Sequence, residues 1–211
     1  MDKALVMLSG GLDSATCLYW AREKYDATAI TFNYFGRLEN EKRATARLAE
    51  AARVSVIEID VPFVREAADA GDGFAGSDLK WAAYVPARNM MFYSIAAHHA
   101  EYIGAKWIVG GHNVHDASFF KDASKGYIEK MNALFRESCL SCDGNPYQIV
   151  LPLADMDRVQ IIRLAQKLGV PIEITWSCHA EGDRHCGRCY SCRQRLEAFG
   201  KIGISDPAFS R

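Results

Sequence analysis

The stretch LVMLSGGLDSATC, Leu5 to Cys17, passes from an apolar run that begins at Ala4 into a loop of hydroxyls, two glycines and one aspartate, and then resumes an apolar rhythm. A short apolar run bounded by turn residues reads as a strand buried on both faces, and the segment after it has helical period. A strand that feeds a helix through a glycine turn begins a parallel α/β sheet, in which ligands sit at the carboxyl ends of the strands.

The same alternation continues outward. Strands are expected at Ala4 to Leu8, Ala27 to Asn33, Val54 to Asp60, Lys106 to Val109 and Gln148 to Leu151. Helices are expected from about Ser14 to Lys24, from Glu39 to Ala52 with an inward stripe of Ala44 and Leu48, and over Tyr127 to Arg136. The run DRVQIIRLAQKLGV is amphipathic and stops at Gly169, whereas NMMFYSIAAHHAEYIGA is apolar nearly all round and predicts a buried helix that ends near Gly104. Ala67 to Ala83, rich in glycine and aspartate, reads as a long loop of the kind that is either a lid or disordered. From Thr175 onward cysteines and arginines replace the apolar rhythm. The expected organisation is therefore a parallel α/β sheet with crossover helices over residues 1–174 and a small metal-binding module over residues 175–211.

Composition narrows the function classes. The 211 residues are 49% hydrophobic and 24% charged, enough for one packed domain with an appendage. With 25 Lys and Arg against 26 Asp and Glu, the net charge of -1 supplies no overall basic field for nucleic acid. No apolar stretch approaches the roughly 20 residues of a membrane span, so a cytoplasmic protein without a membrane partner is expected. Seven cysteines cannot all pair within the chain, and a reducing compartment favours metal binding over disulfides.

The loop SGGLDS suits an anion. Gly10 and Gly11 let the backbone approach it closely, the helix beginning near Leu12 offers unpaired N–H groups, and Ser9 and Ser14 can donate hydroxyl hydrogen bonds. Asp13 would repel a bare phosphate, so its place makes sense if it holds Mg²⁺ or a water of that ion. The alternative is a tight turn that Asp13 or Ser14 caps, with no ligand. The spacing is neither that of a Walker A motif nor that of a dinucleotide fingerprint.

Near the other end, WSCHAEGDRHCGRCYSC places Cys178, Cys186, Cys189 and Cys192 at C-x₇-C-x₂-C-x₂-C. Four thiolates so spaced fill the tetrahedral shell of a structural Zn²⁺. An iron–sulfur cluster, two disulfides or free thiols are the alternatives. Arg184, Arg188, Arg193 and Arg195 surround the cluster, and a second C-x₂-C pair stands at Cys139 and Cys142.

SGGLDS after the first strand resembles the PP-loop of the N-type ATP pyrophosphatases, which cleave ATP between the α- and β-phosphates to adenylate a carbonyl or carboxylate oxygen. Together with YVPARN at Tyr84 to Asn89, LPLADMDRVQII with Arg158 where a lysine is usual, and the cysteine spacing, it is similar over nearly the whole chain to the QueC family of 7-cyano-7-deazaguanine synthases. The resemblance implies a Rossmann-like doubly wound parallel sheet and an ATP-dependent carbon–nitrogen ligase that uses Mg²⁺ and Zn²⁺. It adenylates the carboxylate of 7-carboxy-7-deazaguanine, lets ammonia displace AMP to give the amide, and spends a second ATP to dehydrate the amide to the nitrile. It also implies a homodimer.

The resemblance assigns catalysis to Ser9, Asp13, Ser14 and Arg88, nucleotide binding to Ser9, Gly10, Gly11, Leu12, Asp13 and Ser14, and substrate binding to Tyr34, Arg37, Arg88, Asn89, Asp116, Ser118 and Asp122. Two elements depart from the family. YFGRL stands for Y-G-Q-R-H, with Leu38 in place of histidine, and DASFFKDAS stands for D-x-S-G-Y-P-D-C-R, without the proline, cysteine and arginine. These departures leave open a relative that stops at an amide with another amine, a tRNA-modifying PP-loop enzyme, and a zinc-bearing RNA-binding or scaffold protein with a vestigial ATP site.

Overall fold

A computed structural model describes residues 1–64, 85–138 and 147–209. The expected loop from Ala67 to Ala83, Tyr84, and the Cys139 and Cys142 pair lie outside the described residues. Five parallel strands, β1 (Lys3–Met7), β2 (Asp26–Tyr34), β3 (Val56–Val61), β4 (Ala105–Val109) and β5 (Gln148–Val150), form one sheet in the order β3-β2-β1-β4-β5. β1 is central, and its Ala4, Leu5 and Val6 are fully buried. Both faces of a parallel sheet are covered, which is why this strand reads as an unbroken apolar run.

Because strand side chains alternate, β1 sends Ala4 and Val6 to one core and Leu5 to the other. The first core is closed by α1 (Leu12–Arg22), α2 (Glu39–Ala52), α6 (Arg158–Lys167) and α7 (Tyr190–Lys201). The second is closed by α3 (Arg88–Ile103) and α5 (Lys125–Ser138); the short α4 (Val114–Phe119) follows β4. The strands are added toward one edge from β1 to β3 and toward the other from β4 on, so the crevice at the carboxyl ends of β1 and β4 is the ligand position of a doubly wound sheet.

The expected strands and the α1, α2, α3, α5 and α6 helices are present, with ends shifted by a few residues at most. Two features differ. α3 is not buried all round: Phe92, Tyr93, Ala96, Ala97 and Ala100 face the core, whereas Met90 is 43% and Tyr102 79% exposed. One sheet covers only one face of a helix, and nothing among the described residues packs on the other. The cysteine-rich end also contains a regular helix, α7, whose Ala198 and Phe199 enter the same core as β1 and α1. Its alanine and phenylalanine supply the apolar contact that the arginine-rich pattern conceals.

Candidate active site and cysteine cluster

The turn between β1 and α1 carries SGGLDS. Gly10 adopts φ +94°, a left-handed conformation that a side chain resists, and a Cβ there would stand 2.6 Å from the Glu41 carbonyl oxygen. Gly11 is the N-cap residue of α1 and no side chain caps this helix, so the alternative of a turn capped by Asp13 or Ser14 is not what forms. The dipole end of α1 is left to an outside anion. The hydroxyls are already arrayed: Ser9 Oγ and Ser14 Oγ lie 3.0 Å apart, and Ser14 Oγ donates to the Gly11 carbonyl at 3.0 Å.

Asp13 opens the first turn of α1 and meets Asn113, whose Nδ2 donates to Asp13 Oδ2 at 2.8 Å. Burial pushes the Asp13 carboxyl up to about 6, and the charge of Asp116 adds to the shift, while Arg158, Asn113 and Arg195 oppose it. A carboxylate held where ionisation is costly is poised for a cation, and a magnesium ion with its waters suits that need. Asp116 closes a capping box with Asn113 at the head of α4.

A cavity of about 450 Å³ opens at the carboxyl ends of β1, β2 and β4. It brings together Ser9, Gly11, Leu12, Asp13, Ser14, Tyr34, Arg37, Arg88, Asn89 and Asp116 from the expected set. Arg88 and Asn89 reach it because Ala87, at φ +54°, turns the chain into the first turn of α3. Gly10 lies behind the wall, where its carbonyl accepts from the Trp176 N–H at 2.9 Å. Ser118 is exposed and donates its hydroxyl to the His115 carbonyl, and Asp122 also lies off the wall. Both are carried on the segment that departs from the family pattern.

The arginines differ in what they have left to offer. Arg37 spends its guanidinium inside the protein, on the carbonyls of Phe32 and Ser9 and the side chains of Asn33 and Thr45. It braces the PP-loop from below. Arg195 is held by Asp206 at 2.5 and 3.0 Å. Arg158 is different: its Nε is buried and, among the described residues, lacks a hydrogen-bond partner, although the side chain lines the cavity. A buried guanidinium with an unmet donor calls for an anion.

The sulfurs of Cys178, Cys186, Cys189 and Cys192 lie within 4.8 Å of one another. A tetrahedral site with metal–sulfur bonds of about 2.3 Å needs sulfurs about 3.8 Å apart, so small adjustments admit one ion. Backbone N–H groups of Cys186, Cys189 and Cys192 point at the Cys178, Cys186 and Cys189 sulfurs at 3.3 to 3.4 Å, an arrangement that favours thiolates. No disulfide joins the described cysteines. Of the flanking arginines, Arg184, Arg188 and Arg193 are exposed and Arg195 points inward.

With this geometry in place, the comparison with known proteins is specific. The family model for the queuosine biosynthesis protein QueC matches residues 3–203. The chain belongs to the QueC family. It is 38% identical over 219 residues to a 7-cyano-7-deazaguanine synthase of Nostoc sp., covering 97% of this chain and 96% of that protein. To the synthase of that name from Archaeoglobus fulgidus it is 35% identical over 218 residues, 99% and 90% of the two chains. The solved NMN synthetase of Francisella tularensis shares the fold, with a TM-score of 0.53 at 17% identity over 98% of this chain and 80% of that one.

Three cavity or support residues escape a reading of the sequence for site chemistry, His112, Asn113 and Trp176, while Arg195, read with the arginines around the cysteines, turns out to be buried. Asn113 touches Asp13 across 100 positions, and no local pattern announces a contact that distant. Arg158 was visible in the family pattern only as a substitution for lysine, without a role.

Proposed function

We propose that this QueC family member is an ATP-dependent carbon–nitrogen ligase that converts 7-carboxy-7-deazaguanine and ammonia to 7-cyano-7-deazaguanine, the nitrile-forming step toward queuosine. The observation that carries the reading is the uncapped N-terminus of α1, with Ser9, Ser14 and Asp13 around it and, in the same cavity, Arg158, whose buried Nε lacks a hydrogen-bond partner among the described residues. The relatives' shared name supports the substrate class.

The N–H groups at Leu12, Asp13 and Ser14, with the Ser9 and Ser14 hydroxyls, cradle the triphosphate. Arg158 and Arg88 neutralise its charge. Asp13 holds Mg²⁺, which supplies Lewis-acid withdrawal of charge from the phosphate oxygens. Tyr34 and Asn89 line the side where the deazaguanine acid rests. The carboxylate oxygen then attacks the α-phosphorus and pyrophosphate leaves; fixed donors aimed at the developing charge, rather than a covalent nucleophile, lower the barrier. The four cysteines bind Zn²⁺ and fold the segment that reaches the PP-loop through Trp176. The protein works in the cytoplasm as a homodimer.

A second reading rests on the departing element. Ala123 and Ser124 occupy the cysteine and arginine positions of the family pattern; Ala123 is buried, and the Ser124 hydroxyl is spent on the Lys121 carbonyl. An enzyme without that pair could release the amide. Incubation with ATP, Mg²⁺, 7-carboxy-7-deazaguanine and ammonia, followed by mass spectrometry, separates the two: the nitrile with two AMP per turnover supports the first, the amide with one AMP the second. Absence of AMP formation with this acid sinks both.

A further inference from the structure

The loop that leaves β4 reads Gly110, Gly111, His112, Asn113, and the two neighbours of His112 are pinned to the PP-loop. A Cβ on Gly111 would stand 3.3 Å from the Ser14 nitrogen and 3.4 Å from the Asp13 carbonyl carbon, so glycine here lets the loop pack against the start of α1 without displacing it. Asn113 holds the Asp13 carboxylate directly. His112 therefore sits between two residues that touch the cradle, on the cavity wall. On the function proposed above, the triphosphate rests against this cradle, and the acid's carboxyl has to meet its innermost phosphorus on the same wall of the cavity.

The imidazole is partly buried, its ring set edge-on to Tyr93 at 5.8 Å between centroids. Among the described residues it makes no hydrogen bond, in contrast to His115, which meets the Tyr190 hydroxyl, and His179, which meets the Ser191 hydroxyl. The charged and titratable groups around it are Arg88 on α3, Asp116 on α4, and Asp122 in the turn beyond α4, together with the Tyr93 phenol. Burial, with Arg88 acting the same way, lowers its pKa against the pull of the two carboxylates and keeps the ring neutral. A neutral imidazole has one nitrogen free to accept a proton.

Resting on the function proposed above, we infer that His112 is the general base of the amination step, accepting a proton from the attacking nitrogen at its unprotonated ring nitrogen. Ammonia forms the carbon–nitrogen bond to the acyl carbon, and the bond from that carbon to the phosphate oxygen breaks, its electron pair leaving with AMP. The surplus N–H proton passes to the imidazole, which later returns it to solvent. Adenylation itself needs no such base, because the attacking carboxylate carries no proton at neutral pH. The two half-reactions therefore depend on His112 to different degrees.

The test separates them. ATP–pyrophosphate exchange driven by 7-carboxy-7-deazaguanine reads adenylation, and amide plus nitrile formation from ammonia reads amination, each for the wild type, His112→Ala and His112→Gln, with urea unfolding as the folding control. General-base loss is expected to slow amination roughly 100-fold or more, with exchange falling far less. Gln, which keeps a hydrogen bond but not basicity, is expected to be as slow as Ala. If Ala fails to fold, the nearly isosteric Gln carries the comparison. Amination at the wild-type rate, a parallel fall of both half-reactions, or rescue by Gln overturns the inference. Absence of exchange in the wild type instead overturns the function on which it rests, and the inference with it.

Discussion

Replacing Asp206 by alanine tests the joint between the cysteine-bearing end and the nucleotide site. Arg195 on α7 is 3% exposed and Asp206 fully buried, and the two form a fork of 2.5 and 3.0 Å. The remaining donors of Arg195 go to Thr175 Oγ1 at 2.7 Å, Ser177 Oγ at 3.1 Å and the Ile172 carbonyl, all neutral. Removing the carboxylate strands a buried cation among neutral partners, a loss of about 3–5 kcal/mol. For a chain of this size each kcal/mol is about 2–4 °C, so the melting temperature should fall by roughly 10 °C. Urea denaturation and calorimetry measure it. The double change Arg195→Met with Asp206→Leu should recover most of the loss, because an apolar pair needs no desolvation compensation. Trp176, which follows Thr175, donates to Gly10 behind the PP-loop, so Asp206→Ala should also weaken ATP binding. A single variant within 1 kcal/mol of wild type, or a double variant worse than the single, would refute the reasoning.

Other outcomes follow from the same geometry. Gly10→Ala, forced into a left-handed φ and against the Glu41 carbonyl, should lose about 2 kcal/mol or more in urea unfolding and bind ATP poorly; an unchanged midpoint would contradict the close approach. Because the folded protein holds the Asp13 proton more tightly than the unfolded chain, stability in magnesium-free buffer should decline as pH rises from about 4 to about 6. Asp13→Asn should flatten that slope and be more stable by about 3 kcal/mol at pH 7, equal near pH 4, and inactive in adenylation. On the proposed Zn²⁺ site, a chelator should loosen the segment from Trp176 to Cys192 and raise the ATP dissociation constant, read by calorimetric titration before and after Zn²⁺ is added; unaltered affinity would show that the cysteine cluster and the PP-loop are independent.

Much of this architecture is local and therefore legible in the chain. The apolar run of β1, the glycine turn and the helical period of α1 each depend on neighbours a few residues away, as does the C-x₂-C-x₂-C spacing that lets sulfurs converge. The helix α7 was less visible, because its only deeply buried apolar residues, Ala198 and Phe199, stand among arginines and a glutamate. Arginines mislead for the same reason. Arg37 lines the cavity as expected of a substrate ligand, yet part of its guanidinium also bonds the Ser9 carbonyl, and Arg195, read only as one of four arginines around the cysteines, has Asp206 buried beside it.

Sequence by itself determined the five strands and most of the helices between them, the glycine turn after β1 and the thiol set, since these follow from backbone periodicity and covalent spacing. Tertiary structure alone decided which charges are spent inside the protein and which face the cavity, and it brought Asn113 to Asp13, Trp176 to Gly10 and His112 to the cavity wall. Those pairings are made by strands lying side by side in the sheet and helices folded over it. Their free energies depend on burial, which no stretch of sequence carries on its own.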